Sequence, residues 1–376
     1  MTCFVKAIFK SIKDIILNFM GTDFKDNIFF IAKTILFWFF AFLFYDVFRR
    51  MGLSQEDGVV LLREPLSRTE NLELTLILSF VTGFIYSLIE FGFENQLLKR
   101  RGLGVRLLIK TISYFLLINI VVILAIEQLN RFLTVPLEYS YTQLITNGAV
   151  HSFIIYFITC SLLFTFFRIV NEKFGKGVLR DMLLGKYRNP RIEKKIFMFV
   201  DLKSSTMLAE KMGYIKYSSL IQQCFYDLNE VVRKYDGQIY QYVGDEAVIF
   251  WDFDKGIQKN RCIECFFAFR NKLHLKSGFY KKKFQLLPEF KAGIHGGDLI
   301  VTEVGVAKKE IAYHGDVINT TARIQEQCSS FEKELLISGS IYNELKFNGV
   351  HSCINLGEVL LKGKQKPIEI YTVKEN

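Results

Sequence analysis

A second cysteine pair is missing from this chain. Seven cysteines are scattered from Cys3 to Cys353, and only Cys262 and Cys265 form a C-x-x-C pair. No second pair stands at zinc-ribbon spacing, so a structural zinc framework is disfavoured and a reduced, uncrosslinked domain is expected. Three residues apart, Cys262 and Cys265 are expected to share one face of a buried helix. A basic–aromatic pattern for gripping nucleic acid is also lacking, although the net charge is +10. The basic residues instead flank apolar spans, where they meet anionic lipid headgroups. A lipid membrane, and no nucleic acid, is the expected partner. A secretory signal is not expected either, because the early charges do not cluster ahead of one continuous apolar block with a cleavage site.

Phenylalanine is what the chain has in excess, with 37 copies concentrated before residue 170. The two halves therefore differ in class, and 376 residues leave room for two or three domains. Residues 1–27 are read as an amphipathic N-terminal helix. Phe4, Ile8, Ile12, Ile15, Ile16 and Phe19 recur at three- and four-residue intervals, with Lys6, Lys10 and Lys13 on the other side. Residues 28–170 are read as a four-helix transmembrane domain, with apolar spans near 28–48, 74–93, 105–126 and 150–170. Each holds about 20 residues, enough to cross a hydrocarbon core. An even number of spans puts both termini on one side. Lys99, Arg100, Arg101 and Arg106 in the second loop favour the cytoplasm for that side. Arg49, Arg50, Arg63 and Arg68 in the first loop run against the rule, diluted by Glu56, Asp57, Glu64, Glu70 and Glu73. Glu90 and His151 lie near span ends, where interfacial solvation is expected to account for them. No ligand constellation names a sensed molecule.

Residues 171–195 are a basic connector interrupted by Gly175, Gly177, Gly185 and Pro190, with a short helix expected at Val178–Leu184. It reads either as a tether at the membrane surface or as a coupling element. From 196 to 376 the pattern is α/β. Strands are expected at 196–200, 238–243, 247–251, 289–295 and 299–304. Helices are expected within 206–235 and over 256–273 and 316–328, and a lysine-rich loop at Lys281–Lys283.

Two aspartates carry the chemistry. Asp201 ends the apolar run Ile196–Val200, and Asp245 sits in the turn Gly244-Asp245-Glu246 between two strands. Two hard oxygen donors at one sheet edge suit Mg²⁺ or Mn²⁺, and two such ions polarise a phosphoryl group while activating an attacking oxygen. An aspartate after a strand is also an ordinary cap, and Gly-Asp is ordinary turn chemistry. Asn319 and Arg323, four residues apart, share a helix face where an amide and a guanidinium suit a ribose and a phosphate. Lys362, in Leu361-Lys362-Gly363-Lys364, adds a phosphate contact or is merely a basic turn.

These motifs, in order, make the chain resemble the class III nucleotidyl cyclases from about 196 to 373. The resemblance is carried by Phe199–Thr206, Gly237–Phe250, Ala292-Gly293-Ile294-His295-Gly296-Gly297, Gly315-Asp316-Val317-Ile318-Asn319 to Arg323, and Leu356-Gly357-Glu358 to Tyr371. It implies an α+β, ferredoxin-like catalytic domain behind an α-helical membrane domain of four transmembrane helices, working as a head-to-tail homodimer. By the same resemblance, Asp201, Asp245 and the Leu202 carbonyl match the ligands of two Mg²⁺ or Mn²⁺ ions per site. Ser204, Ser205 and Thr206 match the phosphate-cradling turn, and Lys362 a contact to the terminal phosphates. Asn319 matches the ribose-orienting residue and Arg323 the residue that stabilises charge at the transferred phosphate. Gln241 and Ala312 stand where family members read the purine, but they match neither the adenine nor the guanine pattern. The implied reaction is ATP to 3′,5′-cyclic AMP and pyrophosphate. A guanylyl or dual-specificity cyclase using GTP is the alternative, and a non-catalytic membrane nucleotide sensor a further one. The implied setting is the bacterial cytoplasmic (inner) membrane, with both termini and the catalytic domain in the cytoplasm.

Overall fold

The structure, a computed structural model, describes residues 24–52, 68–95, 148–174, 178–306, 309–347 and 349–376, and in part 109–124. It divides into two compact units, Met1–Ile169 and Val170–Asn376. The expected N-terminal helix at 4–19 and most of the loops between spans lie outside the described residues.

The first unit contains helices α1 (Phe24–Gly52), α2 (Arg68–Asn95) and most of α3 (Gly148–Phe174). Three segments are long and apolar enough to cross a membrane: Asn27–Phe48, Leu72–Phe91 and His151–Arg168. The expected third span, 105–126, is only partly described. Its described part is helical, and Ile112–Val121 is apolar but shorter. Thr34 and Ser87 hydroxyls donate to carbonyls one turn back, Phe30 at 2.9 Å and Gly83 at 2.7 Å. Such back-bonding satisfies a polar group inside a helix without an outside partner. A Cβ on Gly83 would stand 2.6 Å from the Ile35 Cα, so glycine is what lets α1 and α2 approach.

Glu90 departs from expectation. It is fully buried rather than solvated at an interface. Lys110 reaches its carboxylate at 2.9 Å, and Arg168 and Tyr114 also bond to it. A buried carboxylate is tolerated only when paired and hydrogen-bonded in this way. His151 is exposed, as a span-end residue should be.

The second unit begins with the short helix α4 (Val178–Leu183) and then one eight-stranded mixed sheet. The strands are β1 (Arg191–Leu202), β2 (Gln238–Val243), β3 (Glu246–Asp252), β4 (Phe290–Val304), β5 (Glu310–His314), β6 (Leu335–Ser338), β7 (His351–Val359) and β8 (Ile368–Glu375). Their order is β2-β3-β1-β4-β6-β8-β7, with β5 paired to the end of β4. All pairs are antiparallel except β4–β6. Strand β1 starts at Arg191, so residues 191–195 belong to the sheet and not to the connector. Lys195 is buried there, its amine 2.6 Å from Asp252 and 2.7 Å from Glu193. The expected strands at 289–295 and 299–304 are one continuous strand, because Gly296 and Gly297 stay paired with Ile196 and Lys195.

Alternation along β1 serves both faces of the sheet. Ile196, Met198, Val200 and Leu202 enter the main core. That core is covered by α5 (Ser205–Met212), α6 (Tyr214–Lys234), α7 (Phe253–Ile257), α8 (Arg261–Leu275) and α9 (Ser277–Phe284). Phe197 and Phe199 enter a second cluster on the other face with Val248, Phe250 and Val301. The single helix expected within 206–235 is two, α5 and α6, broken at Gly213. The lysine-rich segment expected as a loop is the last turn of α9. Cys262 and Cys265 are both buried on α8, and burial pushes the Cys262 thiol up to about 12. Helix α10 (Asp316–Ser330) lies against β4, and α11 (Gly339–Tyr342) follows β6. A Cβ on Gly293 would fall 2.4 Å from the Gln325 amide nitrogen, so this glycine sets how closely α10 sits on the sheet.

Candidate active site

The carboxylate corner is built by register. Asp201 lies opposite Glu246 on β3 and Lys291 on β4. Asp245 occupies the tight turn between β2 and β3, beside Gly244 at φ 61°. Asp201 accepts a bond from the Gln325 amide at 3.2 Å and meets the Lys291 amine at 3.3 Å. Burial raises the Asp201 carboxyl above its ordinary range. Lys291 opposes that shift, and Asp245 adds to it. Glu246 is pushed up to about 7, first by burial and then by Asp201, Asp245 and Glu326. Like charges crowded in a half-buried corner repel, and a bound cation relieves that repulsion. Among the described residues no three or more His, Cys, Asp or Glu side chains are grouped to hold a metal ion. The two aspartates therefore suit a hard cation that takes its remaining oxygens from backbone, water or phosphate.

Leu202 is buried at the end of β1. Ser204 follows in the left-handed region, at φ 56° and ψ 35°, and heads α5, where Ser205 and Thr206 form the first turn. Backbone N–H groups at such a turn make a concavity suited to anions. Burial, with the nearby Asp245 charge, raises the phenol of Tyr217 in the first turn of α6.

Helix α10 presents two faces. Val317, Thr320, Thr321, Ile324, Gln325 and Cys328 are buried. Asn319 is exposed, and Arg323 is half-exposed with its guanidinium 2.5 Å from Glu326. At about 100° per residue, Arg323 stands nearly opposite Gln325. The face bearing Asn319 and Arg323 therefore turns away from the Asp201 that Gln325 touches. The two predicted halves of the site are not brought together within one chain.

Lys362 is exposed in a turn closed by the Lys364 amide donating to the Leu361 carbonyl at 3.0 Å. Leu361 is buried against Ile324 and Ile370. The Lys364 amine pairs with Asp316, whose carboxylate also accepts from Thr320 at 3.3 Å. Lys362 is thus stapled to the helix that bears Asn319 and Arg323. Gln241 lies exposed on β2 and Ala312 half-buried on β5. Their neighbours Tyr240 and Tyr313 meet edge to face at 5.0 Å across the face of the sheet, although β3, β1 and β4 separate the two strands.

Lys291 and Gln325, which contact Asp201, and the Asp316–Lys364 pair beside Lys362 are neighbours of the candidate residues that the sequence reading did not single out. Gln325 had a signal, as a polar residue in the inward stripe of α10. Lys291 had none without strand register.

The family model "Adenylate and Guanylate cyclase catalytic domain" matches residues 188–375. The chain belongs to that family. It is 33% identical over 204 residues to Adenylate cyclase 2 of Rhizobium meliloti (strain 1021), covering 54% of this chain and 56% of that protein. It is 27% identical over 180 residues to Adenylate cyclase 1 of the same organism, covering 47% of this chain and 27% of the other. The fold also matches the solved structure of a bacterial light-regulated adenylyl cyclase, at TM-score 0.51 and 18% identity, over 61% of this chain and 67% of that one.

Proposed function

We propose that this chain is a membrane-bound adenylate cyclase that converts ATP to 3′,5′-cyclic AMP and pyrophosphate at sites shared across a homodimer. Family membership supports the reaction class. The observation that carries the shared site is the outward turn of Asn319 and Arg323, away from the chain's own Asp201. A second copy placed head to tail supplies the missing half to each of two equivalent sites. The strand order β4-β1-β3-β2 with crossing helices supports reading the core as ferredoxin-like. The apolar spans support a multi-pass protein of the bacterial cytoplasmic membrane, with both termini and the catalytic unit in the cytoplasm.

Asp201, Asp245 and the Leu202 carbonyl would hold two Mg²⁺ or Mn²⁺ ions, which neutralise phosphate charge and favour the ionised ribose hydroxyl. Lys291 beside Asp201 helps keep that carboxylate ionised. Backbone amides at Ser204, Ser205 and Thr206 receive the β- and γ-phosphates, and Lys362 of the second copy adds a point charge to them. Asn319 holds the ribose so that its 3′-oxygen faces the α-phosphorus. Arg323 stabilises charge there as the bond to pyrophosphate breaks. The rate gain is positioning plus charge stabilisation.

Gln241 favours a second reading. Its amide both donates and accepts, so it pairs with either purine edge, while Ala312 contributes no hydrogen bond. A guanylyl or dual-specificity cyclase follows if GTP turns over as fast as ATP. The test is purified full-length protein with Mn²⁺ and each nucleotide in parallel. Cyclic AMP is expected, with Asp201→Ala lowering the rate by at least about 100-fold. Mixing Asp201→Ala with Arg323→Ala subunits should restore about a quarter of wild-type activity, since half the dimers regain one of two sites. Absence of cyclic product from both nucleotides in an intact dimer would sink the proposal.

A further inference from the structure

The last turn of α9 and the start of α6 form a surface that the proposed reaction does not use. Between them runs a groove of about 550 Å³, lined by Met212, Tyr214, Ile215, Lys216, Lys283 and Phe284 among others. Tyr214 is 82% exposed and Ile215 90% exposed, so two large side chains stand almost wholly clear of the fold. Met207, on the neighbouring α5, is exposed too. Single exposed apolar residues need no explanation, but a contiguous group with a polar rim marks an interaction surface.

The rim is basic. Residues 205–219 and 275–285 carry Lys211, Lys216, Lys276, Lys281, Lys282 and Lys283 against one acid, Glu210. Lys276 is committed to the buried Asp227 at 2.6 Å. Lys283 lies over the Phe279 and Phe284 rings. Among the described residues, Lys211, Lys216, Lys281 and Lys282 make no ion pair. Their helices do not need this charge for internal pairing. Repulsion among three consecutive lysines is relieved by an anionic partner of broad extent.

We propose that this face of the catalytic unit docks on an anionic lipid surface, with Tyr214 and Ile215 entering the headgroup layer and the lysines pairing with lipid phosphates. The combination of amphipathic aromatic, bare aliphatic and unpaired lysines is what an interfacial surface presents. The same chain carries three helices suited to crossing a membrane, so such lipid is at high effective concentration for the face. The inference does not depend on which nucleotide is cyclised, or on whether one is.

The test is amine acylation of the full-length protein, read lysine by lysine by mass spectrometry. The protein is held in nanodiscs of phosphatidylcholine alone or containing phosphatidylglycerol. Lys216, Lys281 and Lys282 are expected to react several-fold more slowly with phosphatidylglycerol present, while Lys374 on β8 serves as the internal reference. High salt should erase the difference by screening. Ile215→Ser, a change at a fully exposed position, should reduce the protection without unfolding the unit. Equal rates in the two lipids overturn the proposal. If those equal rates are both slow against Lys374, the face belongs instead to a second copy or a protein partner.

Discussion

The two tryptophans, one in each unit, sit in opposite kinds of core. Trp38 stacks on Phe157 at 4.4 Å, and its buried indole N–H has no hydrogen-bond partner among the described residues. Trp251 is equally buried, but its N–H donates to the Tyr235 carbonyl at 2.9 Å. Around Trp38 the polarity is inverted. Phe40, Phe44, Leu162 and Phe166 point outward, while Thr34, Thr82, Ser87 and Glu90 are buried. Around Trp251 the apolar run Ile196–Val200 is inside. Burying a phenylalanine from water is worth about 2–3 kcal/mol, whereas from lipid it gains almost nothing. The first unit is therefore held by close approach at Gly83 and by the Glu90 cluster, the second by its apolar sheet faces.

That contrast breaks most visibly at Glu90. Glu90→Ala removes the acceptor shared by Lys110, Arg168 and Tyr114, at an expected cost of about 3–5 kcal/mol. Each tryptophan can report alone, in a Trp251→Phe or a Trp38→Phe background. Thermal unfolding followed through Trp38 should shift down strongly, and unfolding followed through Trp251 should hardly move. Equal shifts would mean that the units unfold as one and that the comparison is wrong.

What could be read from the sequence was local. Asp201 at a strand end and Asp245 in a Gly-Asp turn announce themselves through a five-residue apolar run and turn chemistry. The helix read at 316–328, with Asn319 and Arg323 on one face, is present at Asp316–Ser330. Gly213 was hidden inside a helix-like stretch, and Gly296-Gly297 imitated a turn inside an unbroken strand. Lys291 and Gln325 reach Asp201 only through strand register and helix packing, which no local pattern records. Glu90 sat near a span end by count. Its burial follows from Lys110 and Arg168, 20 and 78 residues away.

The second unit carries its own sensitivity, to acid. His295 bonds the Ser338 hydroxyl at 2.8 Å. Burial, then the Lys364 charge, lowers its imidazole from 6.5 to about 4. Below pH 6.5 the unfolded chain takes up a proton that the folded chain refuses until about pH 4, so stability falls with pH through that window. The full loss is about 3 kcal/mol. Urea midpoints followed through Trp251 at pH 7 and pH 5 should separate, and His295→Asn should shrink that separation. A smaller effect is expected at Gly293→Ala, whose Cβ pushes against the Gln325 backbone. It should cost about 1–3 kcal/mol by overpacking and lower activity by displacing α10. An unchanged melting temperature would mean that α10 sits more loosely than its 2.4 Å approach implies.

The smallest effect tests whether the exposed rim of the second unit is built as carefully as the interior of the first. Lys364 does not face outward as Lys362 does. It pairs with Asp316 at the start of α10, while Leu361 anchors the other side of the turn in the core. Both attachments hold Lys362 relative to Asn319 and Arg323. Lys364→Met should therefore act through Lys362, raising KM for the nucleotide while leaving the melting temperature nearly unchanged. In a double-mutant cycle the coupling between Lys364→Met and Lys362→Ala should be about 1 kcal/mol, so the first change does little once the second is made. Wild-type turnover in the same assay separates failure of this pair from failure of the cyclase reading. Strict additivity, with wild type active, would leave the buried Leu361 as the anchor that sets the turn and the Lys364–Asp316 pair as one more solvent-weakened surface contact.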